Sequence, residues 1–194
     1  MRVIAGVCKG RPLKAVGGNN TRPTTDKVKE TIFNMIGPFF SGGQALDLYS
    51  GSGGLGIEAL SRGIDQAVFI DKFGPAIAAI KENVSRCHFK EKADIYRNTV
   101  NRALAILTKR EAQFDLVFMD PPYAKQQISK EINLLLKGNL LKEEAIVVVE
   151  HDDAICLPEY FSTSLKQWKH QTYHGKTAVS IYRYLREENE GDYE

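Results

Sequence analysis

The sequence predicts an α/β fold with a mostly parallel sheet, an antiparallel hairpin at one sheet edge, and a short N-terminal β-hairpin extension. Three observations carry that reading. From residue 44 onward, short apolar runs alternate with segments of helical period, the pattern of right-handed βαβ units. Several runs are continuously apolar, such as Ala145-Ile146-Val147-Val148-Val149, as expected for strands covered by helices on both faces. The last two strand candidates follow one another with no helix between them.

Taken in order, residues 2–7 and 11–16 flank Cys8-Lys9-Gly10 and predict a hairpin with a basic tip. Gly17-Gly18-Asn19-Asn20 is a flexible loop. Thr24, Thr25 and Asp26 are helix-capping types. Behind them Val28, Ile32, Met35 and Ile36 recur at helical spacing, so residues 26–36 form an amphipathic helix that Gly37 and Pro38 end. Strands are expected over 44–49, 66–71, 93–97, 114–119 and 145–150, with helices over 54–62, 74–87, 99–110 and 127–137. The final hairpin strands fall near 163–171 and 176–184. The chain then divides into a basic extension (1–20), a body (21–185) and an acidic, frayed tail (186–194), and nothing demands more than a monomer.

A length of 194 residues suits one domain, and 43% hydrophobic with 26% charged residues excludes a largely disordered chain. No run of about 18 apolar residues predicts a membrane span. The N-terminus lacks the apolar core of a secretory signal, so a cytoplasmic protein is expected. Cys8, Cys87 and Cys156 are few and scattered, which excludes a disulfide framework and zinc spacing. His88, His151, His170 and His174 likewise lack metal spacing, and no metal is expected. The formal net charge of +2 conceals an asymmetry. The last nine residues carry one Arg against five acids, and residues 1–30 carry seven cations against two acids. A basic N-terminal arm suits a polyanionic partner as well as it suits a plain solvated surface.

Tyr49-Ser50-Gly51-Ser52-Gly53-Gly54-Leu55-Gly56 follows the first central strand and opens a helix. Gly51, Gly53 and Gly56 match G-x-G-x-x-G, and Asp71 lies 20 residues past Gly51 at the end of the next strand. Together these form a nucleotide-type cofactor site, with the carboxylate on the ribose hydroxyls. Asp47, in the strand before the loop, argues about which cofactor. A carboxylate there repels the pyrophosphate of a dinucleotide and suits the ammonium and sulfonium of S-adenosylmethionine. It also reads as a buried acid bonded to loop amides, and the two readings are compatible. Tyr49 stands at the loop's entrance, Lys72 at the rim, and Asn98 and Thr99 end the third strand where an adenine edge would rest. Thr99 equally reads as a helix cap.

Asp120-Pro121-Pro122-Tyr123 follows the apolar strand 114–119, at a carboxyl end where open parallel sheets bind ligands. Two prolines remove two N–H donors and fix φ. What remains is a rigid rim of acceptors, the Asp120 carboxylate and the Pro121 carbonyl, suited to an exocyclic amine. Tyr123 offers a flat face for a base. The chemistry implied is direct displacement at a methyl carbon by the amine nitrogen. Alignment and electrostatics are the protein's contribution. A base inside a duplex must first be extruded. Trp168, Tyr173, Tyr182 and Tyr184 read as core and strand residues.

These motifs resemble the RsmD family of bacterial 16S ribosomal RNA guanine-N2 methyltransferases. The resemblance runs through Arg2-Val3-Ile4-Ala5-Gly6, Lys9-Gly10-Arg11, Thr21-Arg22-Pro23-Thr24-Thr25-Asp26 and Val28-Lys29-Glu30. It continues in Leu46-Asp47-Leu48, Gly51-Ser52-Gly53, Gly56 to Gly63, and Asp120-Pro121-Pro122-Tyr123. It implies a class I, Rossmann-like methyltransferase with a seven-stranded sheet and S-adenosylmethionine as donor. It also implies one guanine of 16S rRNA as target (guanine 966), within a 30S subunit or an assembly intermediate. Lys9, Arg11, Arg22 and Thr24 would contact RNA. The chain carries Asn98 where many methyltransferases have an acid. Three other readings stand against this one: DNA adenine-N6 methylation, a non-catalytic ribosome-assembly factor, and a nicotinamide dehydrogenase. The first uses the same acceptor motif but the N-terminal block argues against it. The second conflicts with intact motifs, and the third lacks a catalytic pair.

Overall fold

The computed structural model describes residues 1–17, 26–122, 127–173 and 176–185. Its elements are α1 (Asp26–Ile36), β1 (Gln44–Leu48), α2 (Gly54–Ser61), β2 (Gln66–Asp71), α3 (Gly74–Arg86), β3 (Ala93–Arg97) and α4 (Val100–Lys109). There follow β4 (Phe114–Met119), α5 (Ile128–Lys137), β5 (Leu141–Asp152), β6 (Leu165–Tyr173) and β7 (Thr177–Tyr184). Seven strands pair in the order β3-β2-β1-β4-β5-β7-β6. The first five are mutually parallel, and β7 pairs antiparallel with both β5 and β6. The expected class I, Rossmann-like sheet with its antiparallel edge is therefore present.

Alternation along the central strands explains the layers. In β4, Leu116 and Phe118 face α1, α2 and α3, where they meet Ile32, Phe33, Ile57, Phe69 and Ile80. Val117 and Met119 face α4 and α5, among Leu104, Leu107, Ile132 and Leu135. Both faces are covered, which is why Leu116–Met119 of β4 and Ala145–Val149 of β5 are apolar without polar alternation. Phe33 and Phe118 are fully buried with ring centroids 5.7 Å apart, and truncating either to Ala costs about 3–5 kcal/mol. Among the described residues no helix is long and apolar enough to cross a membrane.

Two elements depart from expectation. Strand β5 starts at Leu141, four residues before the predicted 145, because Glu144 takes φ +64° and the register against β4 slips between Phe114 and Leu116. That bulge lets Leu141 pair with Phe114 although Lys142-Glu143-Glu144 looks like a loop in the sequence. The N-terminal segment turns back on itself as expected but pairs only briefly, through an antiparallel bridge from Arg2 to Pro12 and the bonds Val3 N–H to Arg11 carbonyl (3.0 Å), Gly10 N–H to Val3 carbonyl (2.8 Å) and Leu13 N–H to Met1 carbonyl (3.1 Å), rather than as two full strands. Pro12 has no N–H to give, and the amides of Ile4 and Ala5 bond outward to the two carboxylate oxygens of Glu58 on α2, at 2.8 and 2.9 Å. Ser61 completes the attachment by accepting from Cys8 N–H (3.0 Å) and donating to the Ala5 carbonyl (2.6 Å). Gly6 sits at φ +82°, and a Cβ there would fall 1.7 Å from the Ser61 carbonyl oxygen.

Candidate active site at the switch point

The strand order reverses between β1 and β4, the place where open parallel sheets bind ligands. At the carboxyl end of β1 the chain leaves Tyr49 at φ +62° and turns through Gly51 (φ +55°) and Gly53 (φ +80°) into α2. Gly53 N–H donates to the Ser50 carbonyl at 2.7 Å, closing the turn. A Cβ at Gly51 would meet nothing nearer than the Tyr49 carbonyl at 4.0 Å. The backbone therefore faces open space there, while a Cβ at Gly53 would lie 3.2–3.4 Å from Ile57, Ile80 and Phe69.

Two carboxylates hold this turn. Asp71, half-buried at the end of β2, accepts from Gly51 N–H at 2.9 Å and from Phe73 N–H at 2.8 Å. Asp47 lies beneath the turn, 2% exposed, and accepts from Gly56 N–H at 3.0 Å. Burial pushes its carboxyl up to about 7, against the pull of the Gly56 bond and with the help of the Asp71 charge. Of the two compatible readings of Asp47, the acid bonded to loop amides is the one its geometry displays.

Across the switch point, Leu48 pairs with Met119, so Tyr49 and Asp120 leave adjacent strands side by side. Asp120 is half-buried, Pro121 buried and Pro122 exposed. Tyr123, Arg22 and Thr24 lie outside the described residues. Lys72 is exposed beyond Asp71, and its carbonyl accepts from Arg97 Nε at 3.3 Å. Asn98 N–H donates to the Asp71 carbonyl at 3.0 Å, which joins the ends of β2 and β3. Asn98 Oδ1 accepts from Thr99 N–H at 3.0 Å, and Thr99 occupies the N-cap position of α4 without a side-chain cap bond. Lys9 is exposed. Arg11 is half-buried and donates to the Arg86 carbonyl at the end of α3.

Two features escaped the sequence reading. Tyr49 Oη donates to Glu131 Oε1 on α5, tying the glycine turn to the helix that follows the Asp-Pro-Pro rim. Glu131 is 3% exposed, its Oε2 has no partner among the described residues, and burial raises its carboxyl above the ordinary range. The signal was present: Ile128, Glu131, Ile132 and Leu135 form one apolar stripe with an acid inside it. The second feature is a buried charge cluster. Glu58 meets Lys29 Nζ at 3.3 Å and Arg62 Nε at 2.7 Å, with all three side chains at most 3% exposed. Burial holds the Lys29 ammonium below its usual range. The cluster joins α1, α2 and the N-terminal segment behind the glycine turn.

A family model described as "Conserved hypothetical protein 95" matches residues 1–183. The Bacillus subtilis protein YlbH, provisionally named an rRNA methyltransferase, is 49% identical over 183 residues, covering 94% of this chain and 98% of that one. Ribosomal RNA small subunit methyltransferase D of Haemophilus influenzae is 35% identical over 173 residues, covering 86% and 87%. The solved structure of yhhF from Escherichia coli, provisionally named a methyltransferase, superposes with a TM-score of 0.80 at 29% identity, covering 96% and 99%. At 15% identity, an RNA methyltransferase of Salinibacter ruber solved with S-adenosyl-L-homocysteine shares the fold (TM-score 0.63, covering 89% and 100%).

Proposed function

The chain belongs to the conserved hypothetical protein 95 family, the RsmD family of rRNA methyltransferases. On that premise we propose that it methylates the exocyclic N2 amine of a guanine in 16S ribosomal RNA, with S-adenosylmethionine as donor. The observation that carries this reading is the pairing of β1 with β4, which brings the glycine turn and the Asp-Pro-Pro rim together. The open backbone over Gly51 and the half-buried Asp71 carboxylate fit an adenosine-bearing donor. Gly51 and Gly53 would approach its ribose closely, Asp71 would accept from the ribose hydroxyls, and Lys72, Asn98 and Thr99 would border the adenine. Tyr49 and Asp47 would keep the turn in shape from the side and from beneath.

When bound, the donor supplies an electrophilic methyl group on a sulfonium. The acceptor side belongs to the protein. Asp120 and the Pro121 carbonyl accept the two amine hydrogens, which aims the nitrogen lone pair. Asp120 then takes the departing proton or passes it to water. Pro121 and Pro122 keep the acceptors from turning away, and Tyr123 stacks on the extruded base. Arg22 and Thr24 would guard the mouth of the site, and Lys9 would meet the RNA backbone, while Arg11 holds the Arg86 carbonyl.

The test is methyl transfer by the purified protein to unmethylated 16S RNA, to 30S particles and to DNA, with the product mapped by mass spectrometry. Methyl on guanine N2 of the small-subunit RNA is expected. Methyl on adenine N6 of DNA would replace this reading with the DNA alternative.

A further inference from the structure

We propose that the β6–β7 hairpin is a second RNA-contacting surface, one that grips a single-stranded stretch of the substrate beside the target guanine; this rests on the function proposed above. From Leu165 to Tyr184 the chain carries Lys166, Lys169, Lys176 and Arg183 and no Asp or Glu. β6 is the sheet's outermost strand. Trp168, read from the sequence as a core or strand residue, is 42% exposed. It stands where the β6–β7 register slips between Gln167 and Lys169, and a bulge of this kind re-aims a side chain out of the sheet.

The ring is held in place by cations. Lys169 Nζ lies 4.1 Å from the Trp168 ring centroid and donates to the Met35 carbonyl at 2.6 Å. The Arg183 guanidinium lies 5.5 Å from the same ring. Lys166 Nζ sits 5.3 Å from the ring of Tyr160, itself 52% exposed. An exposed aromatic platform among cations is how proteins hold unpaired nucleotides: bases stack and phosphates pair. Arg183 has a carboxylate at 3.1 Å, Glu144, but both partners are substantially exposed and a phosphate can displace so weak a bond.

The surface runs along the sheet edge toward the proposed site: Lys166 and Arg183 are level with Leu116 of β4 and Trp168 lies between the levels of Val117 and Phe118, while the end of the hairpin reaches further. Met119, Val149, Ser180 and His170 lie in one row across the sheet. Gln171 to Tyr173, and Lys176 beyond them, therefore lie at or past the level of Asp120. Three strand spacings separate β4 from β6, about 15 Å.

The experiment measures binding of the full-length protein to unmethylated 16S RNA across a salt series, with calorimetry for S-adenosylmethionine and thermal unfolding as controls. Trp168→Ala is expected to weaken RNA binding about tenfold and Trp168→Phe to restore most of it. Lys166→Gln with Lys176→Gln is expected to lower the slope of log affinity against log salt by about 1.5. Donor affinity and unfolding temperature stay at wild-type values in both. RNA binding within twofold of wild type in both Trp168→Ala and the double variant overturns the proposal while leaving the methyltransferase reading intact. If removing residues 186–194 changes RNA affinity and the hairpin variants do not, the surface serves the chain's own acidic tail and the proposal falls. If the wild-type protein neither binds nor methylates the RNA, both readings fall together.

Discussion

The N-terminal arm and the β6–β7 hairpin are both basic, but the fold puts their charge to different uses. In the arm, Arg11 donates to the Arg86 carbonyl, Lys14 pairs with Glu82 at 2.6 Å and Arg2 approaches Asp26 at 3.7 Å. Lys29, just beyond, is buried against Glu58. Among the described residues of 1–30, two exposed cations, Lys9 and Lys27, make no ion pair. In the hairpin, Lys166, Lys169 and Arg183 lie over aromatic rings, Lys169 also donates to the Met35 carbonyl, and among the described residues the one ion pair is that of Arg183 with exposed Glu144. Charge counted along a sequence is therefore not charge available to a partner. Availability depends on which acids the fold brings alongside.

The comparison can be tested by separating binding, folding and chemistry. Asp120→Ala touches neither region and should have the largest effect: turnover falls at least about 100-fold while calorimetric affinity for S-adenosylmethionine changes little. Wild-type turnover would refute the acceptor role. Next comes Glu58→Leu, which leaves two buried cations unpaired and frees the amides of Ile4 and Ala5. Urea unfolding should show a loss of about 3–5 kcal/mol, and limited proteolysis should now cut the arm. An arm that stays protected would mean its attachment does not depend on this cluster.

A smaller, pH-dependent effect belongs to Asp47. In the unfolded chain this acid ionises near 3.8, whereas the folded protein holds its proton up to about 7. Between those values the folded state binds a proton that the unfolded state has released. Stability from this group is therefore greatest at low pH, falls as pH rises through that window, and is level above it. Asp47→Asn should remove that slope from a stability-against-pH series; an unchanged slope would assign it to other groups. The smallest effect is the most direct test of the arm. Lys9→Glu should weaken binding to 16S RNA and reduce its salt dependence by about one phosphate contact. Arg11→Gln should instead lower the unfolding free energy by about 1 kcal/mol. Equal effects of the two on RNA would show that Arg11 leaves Arg86 when RNA binds.

The order of strands and helices was legible because each is a local pattern: apolar runs, helical spacing and glycine turns depend on neighbours in the chain. The same holds for Gly51, Gly53, Asp71 and Asp120-Pro121-Pro122, whose meaning comes from standing at strand ends. What local pattern cannot reveal is which distant groups meet. Tyr49 reaches Glu131 across 82 residues, Glu58 draws in Ile4 and Ala5 from more than 50 residues away, and Lys169 finds the Met35 carbonyl across 134. The bulges at Glu144 and Trp168 arise from strand pairing, and Trp168, on a strand as expected, is exposed at the second of them. The sequence by itself thus determined the scaffold and the two loops that meet at its switch point. Only the tertiary structure decided which charges were consumed in holding it together, because burial and pairing are properties of the packed chain rather than of any segment of it.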